Sequence, residues 1–299
     1  MTRIEGERAR GKVLDGCLAI AYDKAMIDRI KGGLYEFLIF GIKQARACIF
    51  AGSFFVLLWL SNVIPPGPLP RYDFLFIGAL LIQIILYLTK IETKDEIKTI
   101  ALFHILGLIL ELFKTHPSVG SWAYPEFSYL KIGTVPIYSG FMYAAVGSYI
   151  SQSWRIMKLR LVGHVHYGLA GILAIFIYLN FFTNHFISDF RALLIPLVFI
   201  IYWNISVQFQ VLEKIRSMSL SISFFLIAFF IWIAENISTY LGAWKYPNQI
   251  STWEVVSLHK ISSWFLLVII SFILIANLKH VKEGRGCASR LSAEADSTR

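Results

Sequence analysis

Met218-Ser-Leu-Ser-Ile-Ser-Phe-Phe-Leu-Ile-Ala-Phe-Phe-Ile-Trp-Ile-Ala-Glu235-Asn236 decides the class of this chain. The run carries no charge until Glu235. A helix needs about 20 mostly apolar residues to cross the hydrocarbon core of a bilayer. Seven more apolar runs accompany it, at 45–63, 72–89, 97–114, 135–152, 163–182, 191–209 and 258–278. Only 16% of the 299 residues are charged, where a soluble domain carries about 25%. Composition and pattern therefore agree on an all-α integral membrane protein with eight transmembrane helices.

The distribution of charge sets the expected topology. With the N-terminus inside, the outward segments hold Arg71, Lys114, Lys131, Arg191, Lys245 and Lys260, and the other 22 of the 28 lysines and arginines lie inside. Such a bias is what the positive-inside rule requires, and it leaves both termini cytoplasmic. The net charge of +9 does not imply nucleic acid, because it sits in short tracts between apolar runs rather than on one basic face. Residues 1–44 read as a cytoplasmic basic segment. Its stretch 14–44, with Ile20, Ile27, Leu34 and Phe37 among Lys24, Arg29 and Lys31, reads as an amphipathic helix on the membrane surface. Residues 279–299 read as a disordered cytoplasmic tail. No cleavable signal peptide is expected, since the first long apolar run lacks a small-residue cleavage pattern. Cys17, Cys48 and Cys287 have neither disulfide-framework nor zinc spacing.

Two stretches repeat one pattern. The first is Glu111-Leu-Phe-Lys-Thr-His-Pro-Ser-Val-Gly120-Ser-Trp122-Ala-Tyr124-Pro125, and the second is Glu235-Asn-Ile-Ser-Thr-Tyr-Leu-Gly242-Ala-Trp244-Lys-Tyr246-Pro247. Each gives a Glu, a spacer and then Gly-x-Trp-x-Tyr-Pro. Asp73-Phe74 and Asp189-Phe190 add a second echo. The expected unit is four helices, at 45–152 and again at 163–278. Four crossings return the chain to its starting side, so the two repeats are parallel, with both motifs on the outer face.

Glu111 and Glu235 are the candidate catalytic residues. Glu111 lies about 20 Å along its span from Lys98 at ~1.5 Å per residue. A carboxylate at that depth marks a functional site with a partner. Two carboxylates on one cavity can divide acid and base roles. His104, two helical turns before Glu111, shares its face and is a candidate proton relay. His164 and His166 read as solvated side chains near the inner interface. Trp122, Tyr124, Trp244 and Tyr246 are candidate substrate contacts, with Asp73, Asp189 and Asn236 beside them. Aromatic residues also collect at membrane interfaces as simple anchors. His116, His185 and His259 lack metal-site spacing, so no metal is expected, and no cofactor motif is present.

Phe103-His104, Glu111-x-Phe113-Lys114-Thr115, Gly120-Ser-Trp-Ala-Tyr-Pro-Glu126, Gly140-Phe-Met-Tyr-Ala-Ala-Val-Gly-Ser-Tyr149, Asn180-Phe-Phe-Thr183 and Ala234-Glu-Asn-Ile resemble a bacterial inner-membrane family catalogued as a domain of unknown function, the 817 family. The resemblance covers about 40–278 and implies a multi-pass inner-membrane protein, but no chemistry. A fainter likeness rests on a Glu near a helix end, a Gly-x-aromatic-x-Tyr turn and then Pro136. In this the chain is similar to membrane-bound carotenoid cyclases and hydratases, which implies Glu111 or Glu235 as an acid on a polyene. In the second copy Leu258 stands where that proline would be.

Two functions follow as expectations. The first is acid–base chemistry on an isoprenoid or carotenoid-like lipid by the paired glutamates. The second is a proton-coupled transporter of a small solute. Membrane lipids and a lipid-soluble small molecule are the expected partners.

Overall fold

The computed structural model describes residue 26 and residues 30–64, 67–163 and 167–276. Most of the expected first half of the interfacial helix, His164, His166 and the expected tail at 279–299 lie outside the described residues. What is described is mostly helical. Helix α1 (Ile30–Ala47) and helix α2 (Ile49–Val63) meet at Cys48 with a bend of 67°. They are followed by α3 (Arg71–Leu88), α4 (Lys94–Lys114), α5 (Gly140–Ile156), α6 (Tyr167–Thr183), α7 (Arg191–Ile201), α8 (Leu220–Tyr240) and α9 (His259–Ala276).

Three of these, α3, α8 and α9, are long and apolar enough to cross a membrane, and α1 with α2 makes a fourth if the bent pair is one span. Exposed Leu81, Ile85 and Leu88 on α3, and Phe225 and Phe230 on α8, form an apolar exterior that water would not tolerate over such an area. The eight uninterrupted spans of the sequence reading are not reproduced. Helix α4 carries Lys98, Glu111 and Lys114, and α5 and α6 have 17 residues each. Helix α7 stops after 11 residues, about 16 Å at ~1.5 Å per residue. The chain beyond it forms a strand rather than completing the expected run 191–209. Ser206-Val-Gln-Phe-Gln210 alternates polar and apolar residues, which is the strand period and not the helix period.

That strand, β4 (Ser206–Gln210), is central in an antiparallel sheet, between β3 (Arg160–Val162) and β5 (Ile215–Ser219). Helix α1 rests on this sheet and runs three residues beyond the expected limit of 44. Phe40 meets Phe209 at 5.7 Å between ring centroids, Glu36 pairs with Arg216 at 2.5 Å, and Lys43 donates to the Gln210 carbonyl at 3.1 Å. A two-residue hairpin, β1 (Lys131–Ile132) with β2 (Val135–Pro136), leads into α5.

Helices α4 and α5 position the site. Helix α4 starts on a capping box: Glu96 N donates to Thr93 Oγ1 at 3.3 Å, and Thr93 N donates to Glu96 Oε2 at 2.8 Å. Arg155 at the end of α5 also reaches Glu96, at 2.9 Å. Gly107 then permits close approach, since a Cβ there would stand 2.5 Å from the Tyr143 ring. Buried Glu92 accepts from Ser148 at 2.6 Å and from Gln152 at 3.2 Å, locking the turn before α4 against α5. The apolar interior forms two clusters. One gathers Phe50, Leu58, Tyr72, Leu75 and Tyr138 with Trp244 and Tyr246, and the other gathers Phe103, Ile150, Val198, Phe224 and Ile269.

Candidate functional site

The segments after α4 and α8 turn through glycines with positive φ, Gly120 at 55° and Gly242 at 74°, a conformation glycine adopts without steric cost. The chain then runs extended, and the two Trp-x-Tyr segments pair with each other. Ala123 N donates to the Lys245 carbonyl at 2.9 Å, and Lys245 N returns the bond to Ala123 at 3.0 Å. Arg71, the first residue of α3, ties both loops together. It bonds to Glu126 at 2.6 Å after the first motif, and to the Leu241 and Gly242 carbonyls at 2.6 and 3.0 Å in the second. The Tyr138 hydroxyl donates to the Ala243 carbonyl.

This join brings Glu111 and Glu235 to one cavity. Glu111, only 2% exposed, accepts from Trp122 Nε1 at 2.7 Å, from the Tyr124 hydroxyl at 2.7 Å and from the Tyr143 hydroxyl at 2.9 Å. Glu235, 4% exposed, accepts from Trp264 Nε1 at 2.8 Å and from the Tyr246 hydroxyl. The donor sets touch across the join. Trp122 meets Tyr246 at 6.0 Å, and Tyr143 meets Trp264 at 6.5 Å, between ring centroids. Burial, and after it the charge of the nearby carboxylate, holds the Tyr124 and Tyr246 phenols well above their ordinary pKa, so both remain donors.

The cavity has a volume of about 330 Å³ and lies between α4, α6 and α9 under the two motif loops. That size falls in the usual range for small-molecule sites, about 300–1,000 Å³. Its walls are graded. Phe103, Ile177, Ile270 and Leu274 line the end away from the motifs, while Lys114, Asn184, His185, Arg191 and Lys260 line the other. Lys114 Nζ donates to the Phe181 carbonyl at 2.6 Å and to His185 Nε2 at 2.8 Å, and lies 4.1 Å from the Phe181 ring centroid. Lys260 Nζ sits over Tyr246 at 4.5 Å and Trp122 at 5.4 Å. Burial, with Lys114 and Lys260 adding to it, holds His185 below the ordinary imidazole range, so it accepts from Lys114 as the neutral ring. Burial alone would raise Asp189, but its bonds to Arg191 and Asn180 outweigh it and hold the carboxyl below its usual value.

Of the residues singled out in the sequence, Glu111, Glu235, Trp122, Trp244 and Tyr246 line this cavity, and so do His185 and His259. Tyr124 stands behind the wall, against Glu111. His104, Asp73, Asp189 and Asn236 do not line it. His104 packs on Phe141 with ring centroids at 4.4 Å, leaving its buried Nδ1 without a partner. Asp73 accepts from Ser128 Oγ and from the amides of Tyr129 and Leu130, at 2.5, 2.8 and 2.8 Å, and so fixes the loop before β1. Asp189 binds Arg191 at 2.5 Å. Asn236 accepts from Val256 N at 2.9 Å and donates to the Trp232 carbonyl at 2.8 Å. These side chains are engaged in packing and loop geometry. Among the described residues, no group of three or more His, Cys, Asp or Glu side chains is placed to hold a metal ion.

Tyr143, Trp264, Lys114, Arg191 and Lys260 were absent from the sequence-derived site. Tyr143 belongs to the Gly140–Tyr149 stretch that carries the family resemblance. The three cations stood in the sequence as half of the six outward charges, which was the available signal.

The family model described as "Protein of unknown function (DUF817)" matches residues 36–272, a segment holding both glutamates and both motif loops. The "Uncharacterized protein YoaT" of Bacillus subtilis (strain 168) is 52% identical over 244 residues, which are 82% of this chain and 92% of that protein. No solved structure matches the chain. None of these findings supports the likeness to carotenoid cyclases and hydratases, which a shared turn pattern alone had suggested.

Proposed function

The chain belongs to the DUF817 family of proteins of unknown function, and from that premise we propose that it is a multi-pass membrane protein whose cavity admits a chain lipid, isoprenoids among them, and transfers protons on it through Glu111 and Glu235. The observation that carries this reading is the shared cavity, in which two buried carboxylates stand where the wall changes from polar to apolar. Each carboxylate is oriented by an indole N–H and a phenol O–H. Orientation by packed donors is what a positioned acid or base requires. A carboxylate has about four lone-pair sites. Glu235 takes two donors where Glu111 takes three, so Glu235 is the freer to exchange a proton.

The membrane arrangement we propose is eight embedded segments in two parallel four-helix halves, inner-membrane in location, with both termini cytoplasmic. The sixth segment is α7, a partial crossing completed by the turn at 202–205. Two observations support it. The reciprocal Ala123–Lys245 pair joins equivalent positions of the two motifs, as parallel halves would require. The charge bias supplies the orientation.

The test compares lipid extracts from a bacterial host expressing the wild type, Glu111→Gln or Glu235→Gln, by untargeted mass spectrometry. A wild-type-specific product, such as a hydrated or isomerised lipid that Glu235→Gln fails to make, is the expected result. An unchanged profile from folded protein overturns the reading. Proton-gradient-driven solute uptake in proteoliposomes would then replace it with the carrier alternative.

A further inference from the structure

The charged end of the cavity holds two lysines that no carboxylate among the described residues contacts directly. Lys114 is 4% exposed and takes part in none of the ion pairs found among the described residues, and neither does Lys260. The partners of Lys114 are neutral: a carbonyl, an imidazole and, at 3.5 Å, the Asn184 amide oxygen. That last contact is at the limit of a hydrogen bond, which leaves one ammonium proton weakly used. Lys260 rests on two aromatic faces. Glu111 and Glu235, within electrostatic reach of Lys260, spend their oxygens on indole and phenol donors. Arg191 is neutralised by Asp189, but its Nη1 extends to Ser263 at 2.7 Å, and Ser263 also lines the cavity. Burying an ammonium group without an anion is costly, so an unpaired one beside an open cavity marks a place for an anion.

The opposite end has the reverse character. The lining follows α9 from Lys260 to Leu274, fourteen residues, or about 21 Å at ~1.5 Å per residue. Phe103, Ile177, Ile270 and Leu274 flank its far part. A free inorganic anion would leave that stretch unfilled, and an uncharged lipid would leave the ammonium groups unpaired.

We propose that the ligand is a single-chain amphiphile with an anionic headgroup, phosphate or carboxylate. The headgroup sits among Lys114, Arg191, Lys260 and Ser263, and the chain lies between α4, α6 and α9. The inference rests on the lipid-binding reading above and adds the headgroup to it. Its test concerns binding alone, so it can fail while the proton-transfer reading stands.

The experiment uses the full-length protein purified in a non-ionic detergent, with dodecyl phosphate, dodecanoate, dodecanol and inorganic phosphate as probes. Quenching of the cavity tryptophans Trp122, Trp244 and Trp264 reports binding, and the thermal midpoint reports it independently. Dodecyl phosphate or dodecanoate is expected to bind saturably, at least about tenfold more tightly than dodecanol or inorganic phosphate. Lys260→Met is expected to erase most of that preference and Lys114→Met the rest, while Lys114→Arg retains it. Lys260→Met and Lys114→Arg keep the test decisive if Lys114→Met does not fold. Glu235→Gln removes a negative charge within electrostatic reach of Lys260, so it should bind the anionic probes no more weakly than the wild type even where turnover is lost, which separates this result from a failure of turnover. Equal binding of dodecanol and dodecyl phosphate, a preference that survives Lys260→Met unchanged, tight binding of inorganic phosphate alone, or binding of no probe would each overturn the proposal.

Discussion

Glu111 and Glu235 open the two stretches that repeat one pattern, yet they are held by different means. Glu111 takes its indole and one phenol from its own motif, Trp122 and Tyr124, and a further phenol from α5, Tyr143. Glu235 takes its phenol from its own motif, Tyr246, but its indole from α9, Trp264. The spacer between Glu and Gly is two residues longer in the first copy. With the shorter spacer, Trp244 packs in the cluster formed mainly by the first half and reaches Glu235 only through Tyr246. One indole and at least one phenol serve each carboxylate, but chain position does not determine which residue supplies them.

The sharpest way to break this comparison is turnover. With a product in hand, Glu235→Gln should lower the rate by about 10²-fold or more, the usual loss when a general acid or base is removed. Glu111→Gln should act mainly through the displaced aromatic wall and cost less. Equal losses measured in vesicles would show that the two carboxylates act as one unit. Stability should reverse the order. Glu111→Leu orphans three donors and should cost about 3 kcal/mol or more, against about 2 kcal/mol for Glu235→Leu, at ~1 kcal/mol or more per orphaned donor. Unfolding of the detergent-solubilised protein measures both, and equal values would remove the asymmetry.

The indoles sharpen the comparison further. Trp122→Phe removes a donor to a carboxylate and should cost about 2 kcal/mol, whereas Trp244→Phe removes a neutral contact and should cost about 1 kcal/mol. The smallest effect concerns acid. Because the folded state holds His185 below its ordinary pKa, its contribution to stability is present above about pH 6.5 and is lost as the pH falls below that value. Thermal midpoints at pH 7.5 and pH 5 should differ less in His185→Gln than in the wild type.

Much of this site was legible in the sequence. A glutamate closing an apolar run, followed by Gly-x-Trp-x-Tyr-Pro, needed no structure to attract notice. Tyr143 and Trp264 escaped because they stand 32 and 29 residues beyond the carboxylates they serve, on helices whose rotation the sequence does not reveal. His104 attracted notice as a histidine in mid-span, Asp73 as half of the Asp-Phe echo and Asn236 as the neighbour of Glu235. Their partners turned out to be a phenylalanine face, the loop before β1 and the segment before α9. The helices overlap their apolar runs, except that the run 135–152 opens on a strand and the run 191–209 closes on one, β4. There a stretch bearing no charge before Glu213 hid an alternation that hydropathy alone does not register.

The tie between Ala123 and Lys245 runs entirely through backbone atoms, so it makes almost no demand on side-chain identity. Across relatives, these two positions should drift freely and independently while the neighbouring tryptophans and tyrosines do not. Proline alone should be barred from both, because each residue must donate its N–H. The seam that unites the two glutamates would then be among the least conspicuous columns of an alignment. A search for co-varying pairs would pass over the contact that assembles the site.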